Sequence, residues 1–418
     1  MNRSLLQSFG GLAVVGAVSA IFVFSTWSSW QPQAAHVKTL VHTSAMALAG
    51  PPPQAQAVTP APILASQNLT QFSSNEAVRS GLSLRRAEYW TNLLNTIVQC
   101  RLCPRNCIIP DGFRGTCKAR VNIGGILRTL VYGKVVAAHV DPIEKKPLFH
   151  FLPGSRSFSL ATAGCNMNCI FCQNWEISQA FPEKSQFMEM SPEDIVAEAV
   201  RAGCKSIAYT YTEPTVFFEF MRDTARLAKR AGIRNVWITC GYISEAPLRE
   251  LCKYLDAANV DLKGFSERFY IQYTSGTLDP VLRTFAICKQ EGVWTELTNL
   301  VIPGANDTTA EISNLCAWAV KTMGCDMPVH FSRFQPNYKL LDRAPTPVAT
   351  LNDAAHLAQS LGIHYVYVGN VAADPYESTY CPQCKQLLIE RVGYSVGPVL
   401  IKGGKCQFCG APIAGVWK

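Results

Sequence analysis

The chain has 418 residues, 48% of them hydrophobic, and a formal net charge of +8 spread along its length. This is enough for one large catalytic domain with appendages, and the modest, diffuse charge reads as a solvated basic surface, with no strong signal for nucleic-acid binding. An odd count of 17 cysteines excludes a fully paired disulfide framework. Eleven of them fall in three clusters, at 100–117, 165–172 and 381–409, as metal-ligating thiols kept reduced would. Cys204, Cys240, Cys252, Cys288, Cys316 and Cys325 are scattered through apolar segments and read as small core residues.

Residues 4–31 carry no charge, and 12–27 are almost wholly apolar. With its flanks this run approaches the about 20 residues that cross a bilayer. Ala-x-Ala sites occur only near 45–49, far past the apolar run, so residues 1–30 read as an uncleaved membrane anchor rather than a signal peptide. Residues 31–84 read as a low-complexity linker rich in Ala, Pro, Gln, Ser and Thr. A helix is expected from 84 to 99, opening a cysteine-rich N-terminal module over 85–150 with β-type sequence at 126–132 and 135–140.

From 151 to 372 the pattern alternates. Apolar strands are expected at 157–163, 206–211, 235–239, 258–262, 295–302, 329–334 and 364–368. Helices are expected at 192–202 behind a Ser191 cap, at 216–231 closed by Gly232, at 309–323 closed by Gly324, and at 352–361 closed by Gly362. This alternation defines an α/β domain with a parallel sheet. Residues 373–418 form a last module with strand-like sequence at 387–392.

The chemistry concentrates in the loop after the first of these strands. Cys165, Cys169 and Cys172 form C-x3-C-x2-C, with Phe171 just before the last cysteine. A cubane iron–sulfur cluster usually takes four thiolates. Three leave one iron open, as catalytic metal sites do. Other strand ends carry Glu213 beside Pro214, Thr239 before Cys240 and Gly241, Asp261 two residues from Lys263, Asn299, and His330 with Arg333. Asp261 and Lys263 share a strand face. Glu213 would equally serve a helix N-terminus, and His330 would equally sit hydrogen-bonded in the interior.

Cys381, Cys384, Cys406 and Cys409 make C-x2-C-x21-C-x2-C, the pattern of a zinc ribbon whose two knuckles close a tetrahedral site. Cys100, Cys103, Cys107 and Cys117 supply four more thiolates in a Pro- and Gly-rich loop. Zinc and a second iron–sulfur cluster both suit that spacing.

The C-x3-C-x-aromatic-C loop resembles that of radical S-adenosylmethionine (SAM) enzymes. The stretch from about 85 to 418 resembles, more narrowly, the AmmeMemoRadiSam-system radical SAM proteins, relatives of pyruvate formate-lyase activating enzymes. The carrying segments are Cys103 to Arg120, Asp141 to His150, the cluster loop, Tyr209 to Pro214, His330 to Phe334, and Asn370 with the C-terminal ribbon. The resemblance implies an incomplete parallel (β/α) barrel and a [4Fe-4S] cluster on Cys165, Cys169 and Cys172 that cleaves SAM reductively. It implies contacts to SAM from Phe171, Glu213, Thr239, Asp261, Lys263 and Asn299. Cys240 stands where these relatives carry Asn, and Tyr211 and Thr212 stand where they carry glycines. A flavodoxin- or ferredoxin-type electron donor and Memo-like and AMMECR-type partners are implied as well. The catalytic domain is expected on the cytoplasmic side, and glycyl-radical installation is one implied activity. The competing class is a non-catalytic, membrane-tethered metal-binding scaffold that recruits partners through its zinc modules.

Overall fold

Seven parallel strands in sequence order carry the architecture of the chain, and helices pack between them. The structure is a computed structural model that describes residues 71–371 and 374–418. The anchor expected over 1–30 lies outside the described residues. Among those described, no helix is long and apolar enough to cross a membrane.

Beside the short edge strand Met188–Glu189, β1 (Lys134–Pro142) runs antiparallel to β2 (Arg156–Thr162). From β2 the order is β3 (Ser206–Tyr209), β4 (Arg234–Thr239), β5 (Ala257–Asp261), β6 (Trp294–Val301), β7 (Val329–Arg333) and β8 (Val366–Gly369). Each parallel strand pairs with the next in the chain. The strands are buried on both faces, as parallel strands covered by crossover helices must be. This explains their nearly unbroken runs of apolar and small residues.

The helices are α1 (Pro192–Arg201), α2 (Phe218–Arg230), α3 (Glu245–Cys252), α4 (Asp279–Gln290), α5 (Thr309–Thr322) and α6 (Val348–Ser360). Helix α1 starts on a full capping box between Ser191 and Asp194 with Pro192 at its first position. Helix α2 enters through a 3-10 turn, Pro214–Phe217, capped by the Glu213 side chain.

Two sequence expectations fail in the N-terminal region. Residues 71–84, read as linker, contain the short helix Ser74–Arg79, and Phe72 N–H donates to Gly112 O at 2.7 Å. Residues 84–99 do not form a helix. They build the strands Arg85–Arg86, Trp90–Asn92 and Val98–Cys100 of two small antiparallel sheets. Tyr89 (φ 55°) and Asn95 (φ 54°) turn left-handed there, which breaks a helix at two points, and Trp90, Thr91 and Val98 favour strands.

The C-terminal module is a set of two-stranded pieces, including Thr379–Tyr380 with Leu387–Ile389 and Ile401–Lys402 with Lys405–Cys406. Its apolar residues cluster with Phe149, Tyr365 and Tyr367 of the main domain. Arg391 fixes the joint by donating to Phe149 O at 2.7 Å.

Candidate active site

After β2, Gly164 turns the chain (φ 102°) into the loop bearing Cys165, Cys169 and Cys172. A Cβ on Gly164 would lie 2.6 Å from the carbonyl oxygen of Cys117, so only glycine fits against the N-terminal module here. On the other side, Asn168 and Ile170 N–H donate to Thr274 O and Tyr273 O, each at 3.0 Å. Those carbonyls belong to a π-helical turn, Tyr270–Thr274, a rare element that recurs at functional sites. The loop is therefore clamped from two directions.

It opens onto a cavity of about 470 Å³ at the carboxyl ends of the strands. All seven parallel strands reach it. Cys165 follows β2, Thr210 follows β3, Thr239 and Asp261 end β4 and β5, Thr298 and Ser332 lie on β6 and β7, and Asn370 follows β8. The sheet must wrap around this space for all seven ends to line it. Sites of α/β folds form at this end, where the loops after the strands converge.

Burial, with Glu213 nearby, pushes the Cys165 thiol well above its ordinary range. Burial pushes Cys169 up to about 12, against the opposing charges of Lys263 and Arg105. The metal-free Cys165 and Cys169 thiols are thus protonated at neutral pH and release protons when they ligate. No three His, Cys, Asp or Glu ligand atoms of this loop and its neighbours lie within 4.8 Å of one another among the described residues. That spacing does not suit one ion, and a cluster, whose thiolates bind separate irons, does not require it.

The residues expected around SAM fare differently. Lys263 Nζ lies 3.0 Å from Asp261 Oδ2 and 5.9 Å from the Phe171 ring centre, and all three line the cavity. Burial opposes the Lys263 charge, but Asp261 more than restores it, so its ammonium is held well above the ordinary range. Glu213 lines the cavity but its carboxylate is occupied. It accepts from Thr215 N (3.0 Å), Thr215 Oγ1 (2.6 Å), Thr239 Oγ1 (2.8 Å) and Cys240 N (2.8 Å). Both readings of Glu213 meet here: it caps the turn into α2 and fixes the end of β4. Asn299 is not brought to the cavity wall. Its Nδ2 donates to Leu262 O at 2.7 Å and braces β5 against β6.

Cys240 does line the cavity, with its thiol 3.9 Å from Asn166 Oδ1. His330 is an interior histidine, 2.7 Å from Glu296 Oε2, and Arg333 donates to Thr346 O. Tyr211 takes φ 64°, the left-handed geometry that a glycine would adopt freely.

One cluster of cavity residues escaped the sequence reading. Asp141, buried on β1, accepts from Lys145 Nζ (3.0 Å), Lys146 Nζ (2.6 Å) and the Tyr211 hydroxyl. Burial works to raise the Asp141 carboxyl, yet the Lys146 and Tyr211 hydrogen bonds hold it well below the usual range. Burial pushes Lys146 down to about 8 despite that pairing. The segment containing Asp141 and Lys146 was legible as a motif, but nothing local showed that it faces the cluster loop.

In the C-terminal module the four thiols converge. Cys381 Sγ lies 3.7 Å from Cys409 Sγ, and Cys384 Sγ lies 3.8 Å from Cys406 Sγ. A tetrahedron with metal–sulfur bonds near 2.3 Å has an edge of about 3.8 Å. The donor set fits a single tetrahedral ion.

The alternating strands and the three-cysteine loop define a radical SAM protein, and the Radical SAM superfamily profile matches residues 159–316. The chain belongs to the family of the uncharacterized protein MJ0808 of Methanocaldococcus jannaschii. The two are 46% identical over 332 residues, which cover 79% of this chain and 99% of the archaeal one. Among solved structures, a domain of a pyruvate-formate lyase-activating enzyme from Bacteroides vulgatus is 11% identical with a TM-score of 0.36, covering 40% of this chain and 99% of its own. A radical SAM methyltransferase from Sphaerobacter thermophilus is 17% identical with a TM-score of 0.42, covering 57% and 71%. The match over residues 159–316 makes the chain a radical SAM superfamily enzyme, a class that implies a [4Fe-4S] cluster and SAM.

Proposed function

We propose that the protein cleaves SAM reductively at a [4Fe-4S] cluster held by Cys165, Cys169 and Cys172, and uses the resulting radical to abstract hydrogen from a substrate in the cavity. The observation that carries this reading is the clamped three-thiol loop opening on a cavity that all seven parallel strand ends line. When bound, the cluster supplies one electron to SAM, whose carbon–sulfur bond breaks to give methionine and a 5′-deoxyadenosyl radical.

The chain's own residues do the rest. Lys263, steadied by Asp261 and 5.9 Å from the Phe171 ring centre, would meet the SAM carboxylate. Glu213 orders Thr239 and the Cys240 amide, and so shapes the wall beside Cys165. Lys146 and Tyr211, both held by Asp141, form a polar rim on which a substrate can be oriented. An activase-like role toward a glycyl-radical protein, a flavodoxin- or ferredoxin-type donor, and association with Memo-like and AMMECR-type proteins extend this reading by family resemblance. The C-terminal four-thiol site is read as structural zinc, because its sulfur spacing matches the tetrahedral edge and leaves no open position.

Electron paramagnetic resonance of the anaerobically reconstituted, reduced protein tests the open iron. Adding SAM is expected to change the spectrum of the cluster on the Cys165 loop. A spectrum indifferent to SAM would remove the proposal's basis.

A further inference from the structure

Cys100, Cys103, Cys107 and Cys117 line a second, narrow cavity behind the cluster loop, together with Arg105, Arg120, Asn166 and Thr215. We propose that it holds an iron–sulfur cluster ligated by all four of these thiolates, which exchanges single electrons with the cluster on the Cys165 loop. Three independent features point there.

The first is spacing. Among the described residues, no three of these sulfurs lie within 4.8 Å of one another, whereas all four ribbon sulfurs do. The second is free space. Sulfurs about 2.3 Å from a shared zinc ion leave no room for anything between them. This cavity has a volume of about 20 Å³. The same chain thus contains one four-thiol site shaped for a single ion and one shaped for something larger.

The third is charge. Arg105 is 7% exposed and Arg120 1%, and both line the cavity. Arg105 Nη2 and Arg120 Nε are buried without a hydrogen-bond partner among the described residues. Leaving a buried donor unpaired costs about 1–3 kcal/mol. The two side chains are anchored by other donors: Arg105 Nε donates to Asn166 O at 2.8 Å, and Arg120 donates to Glu88 O from Nη1 at 2.9 Å and to Glu219 from Nη2 at 2.6 Å. The remaining donors suit an anionic occupant, and a cluster with four thiolates is anionic. Its inorganic and cysteinyl sulfurs accept such hydrogen bonds, which also tune its potential.

Four protein ligands leave no iron open, so this cluster would bind no substrate and only carry electrons. The route is short. Cys117 O packs on Gly164, one residue from Cys165, and Arg105 joins this module to Asn166 on the other side of Cys165. Successive Cα atoms are about 3.8 Å apart. A low-potential one-electron donor of flavodoxin or ferredoxin type reduces the outer cluster by one electron, and that electron passes on to the loop cluster, restoring the outer one. The direction of flow rests on the proposed SAM chemistry; the presence of the cluster does not.

The test is iron, acid-labile sulfide and zinc per chain, with EPR, in the anaerobically reconstituted full chain. The Cys165→Ala/Cys169→Ala/Cys172→Ala variant is expected to keep at least two irons with equal sulfide, a reducible EPR signal, and one zinc. A second zinc with no iron in that variant, or neither metal beyond the ribbon's, would overturn the inference. Because Cys103→Ser/Cys107→Ser chains can fail to fold, the triple variant is primary. The double variant serves as the converse, expected to lose the second signal while the SAM-responsive one persists. If the proposed SAM site were wrong and this inference right, the triple variant and wild type would hold equal iron.

Discussion

Replacing Gly164 by alanine asks whether the cluster loop depends on its seat against the N-terminal module. Two costs follow from the structure. The backbone there has φ 102°, which L residues resist by roughly 1–2 kcal/mol. The added methyl would also lie 2.6 Å from Cys117 O, an overlap in the class that costs about 1–3 kcal/mol. Gly203→Ala isolates the first cost, since Gly203 has φ 66° and nothing within 4 Å of the added Cβ. The difference between the two variants is then about 1–3 kcal/mol, roughly a 5- to 150-fold change in the equilibrium that seats the loop. Iron retained per chain under a fixed chelator challenge, with thermal melting alongside, reads that difference. Gly203→Ala should hold iron like wild type, and Gly164→Ala should lose the loop's iron and melt lower. Two indistinguishable variants would refute the idea that contact with Cys117 positions the loop.

Lys263→Met should weaken SAM binding roughly 10- to 150-fold in equilibrium dialysis, the worth of one charge-assisted hydrogen bond, while iron content stays unchanged; equal affinity would separate Lys263 from the SAM carboxylate. Cys240→Asn should leave both iron content and SAM cleavage intact, because the thiol is a wall residue; loss of iron would make it a ligand that caps the cluster. His150, with its ring nitrogens 2.6 Å from Ala414 O and Tyr367 Oη, is pushed by burial from 6.5 down to about 4. A depressed folded value means the unfolded chain protonates first. The stabilisation is therefore full above pH 6.5 and lost as pH falls toward 4, about 3 kcal/mol over that window. Urea midpoints at pH 7 and 4.5 should show a smaller acid loss in His150→Asn than in wild type, and equal losses would contradict it.

The strand–helix alternation was legible because parallel strands buried on both faces are apolar runs, and because caps such as Ser191 with Asp194 mark their helices. Strands expected at 206–211 and 329–334 end at Tyr209 and Arg333, within two residues. The failure at 84–99 has a local cause. Trp90, Leu93, Leu94 and Ile97 recur at helical intervals, while Tyr89 and Asn95 turn left-handed and Leu93 N–H donates to Ile97 O across the turn at 2.9 Å. The three loop cysteines were readable from spacing. The saturation of Glu213 was not, because Thr215 is its neighbour but Thr239 and Cys240 come from the next strand. Asn299 looked like a site residue through the family resemblance, and its side chain donates to Leu262 O. The Asp141, Lys146 and Tyr211 cluster joins β1 to the loop after β3, a contact that no local pattern encodes.

The central claim is that Cys165, Cys169 and Cys172 hold a cluster with one iron free for SAM. Quantifying 5′-deoxyadenosine after anaerobic reduction with dithionite tests it most directly. The wild-type chain should form it together with methionine, and the Cys165→Ala/Cys169→Ala/Cys172→Ala chain should form none. Product formed equally by both chains would contradict the claim.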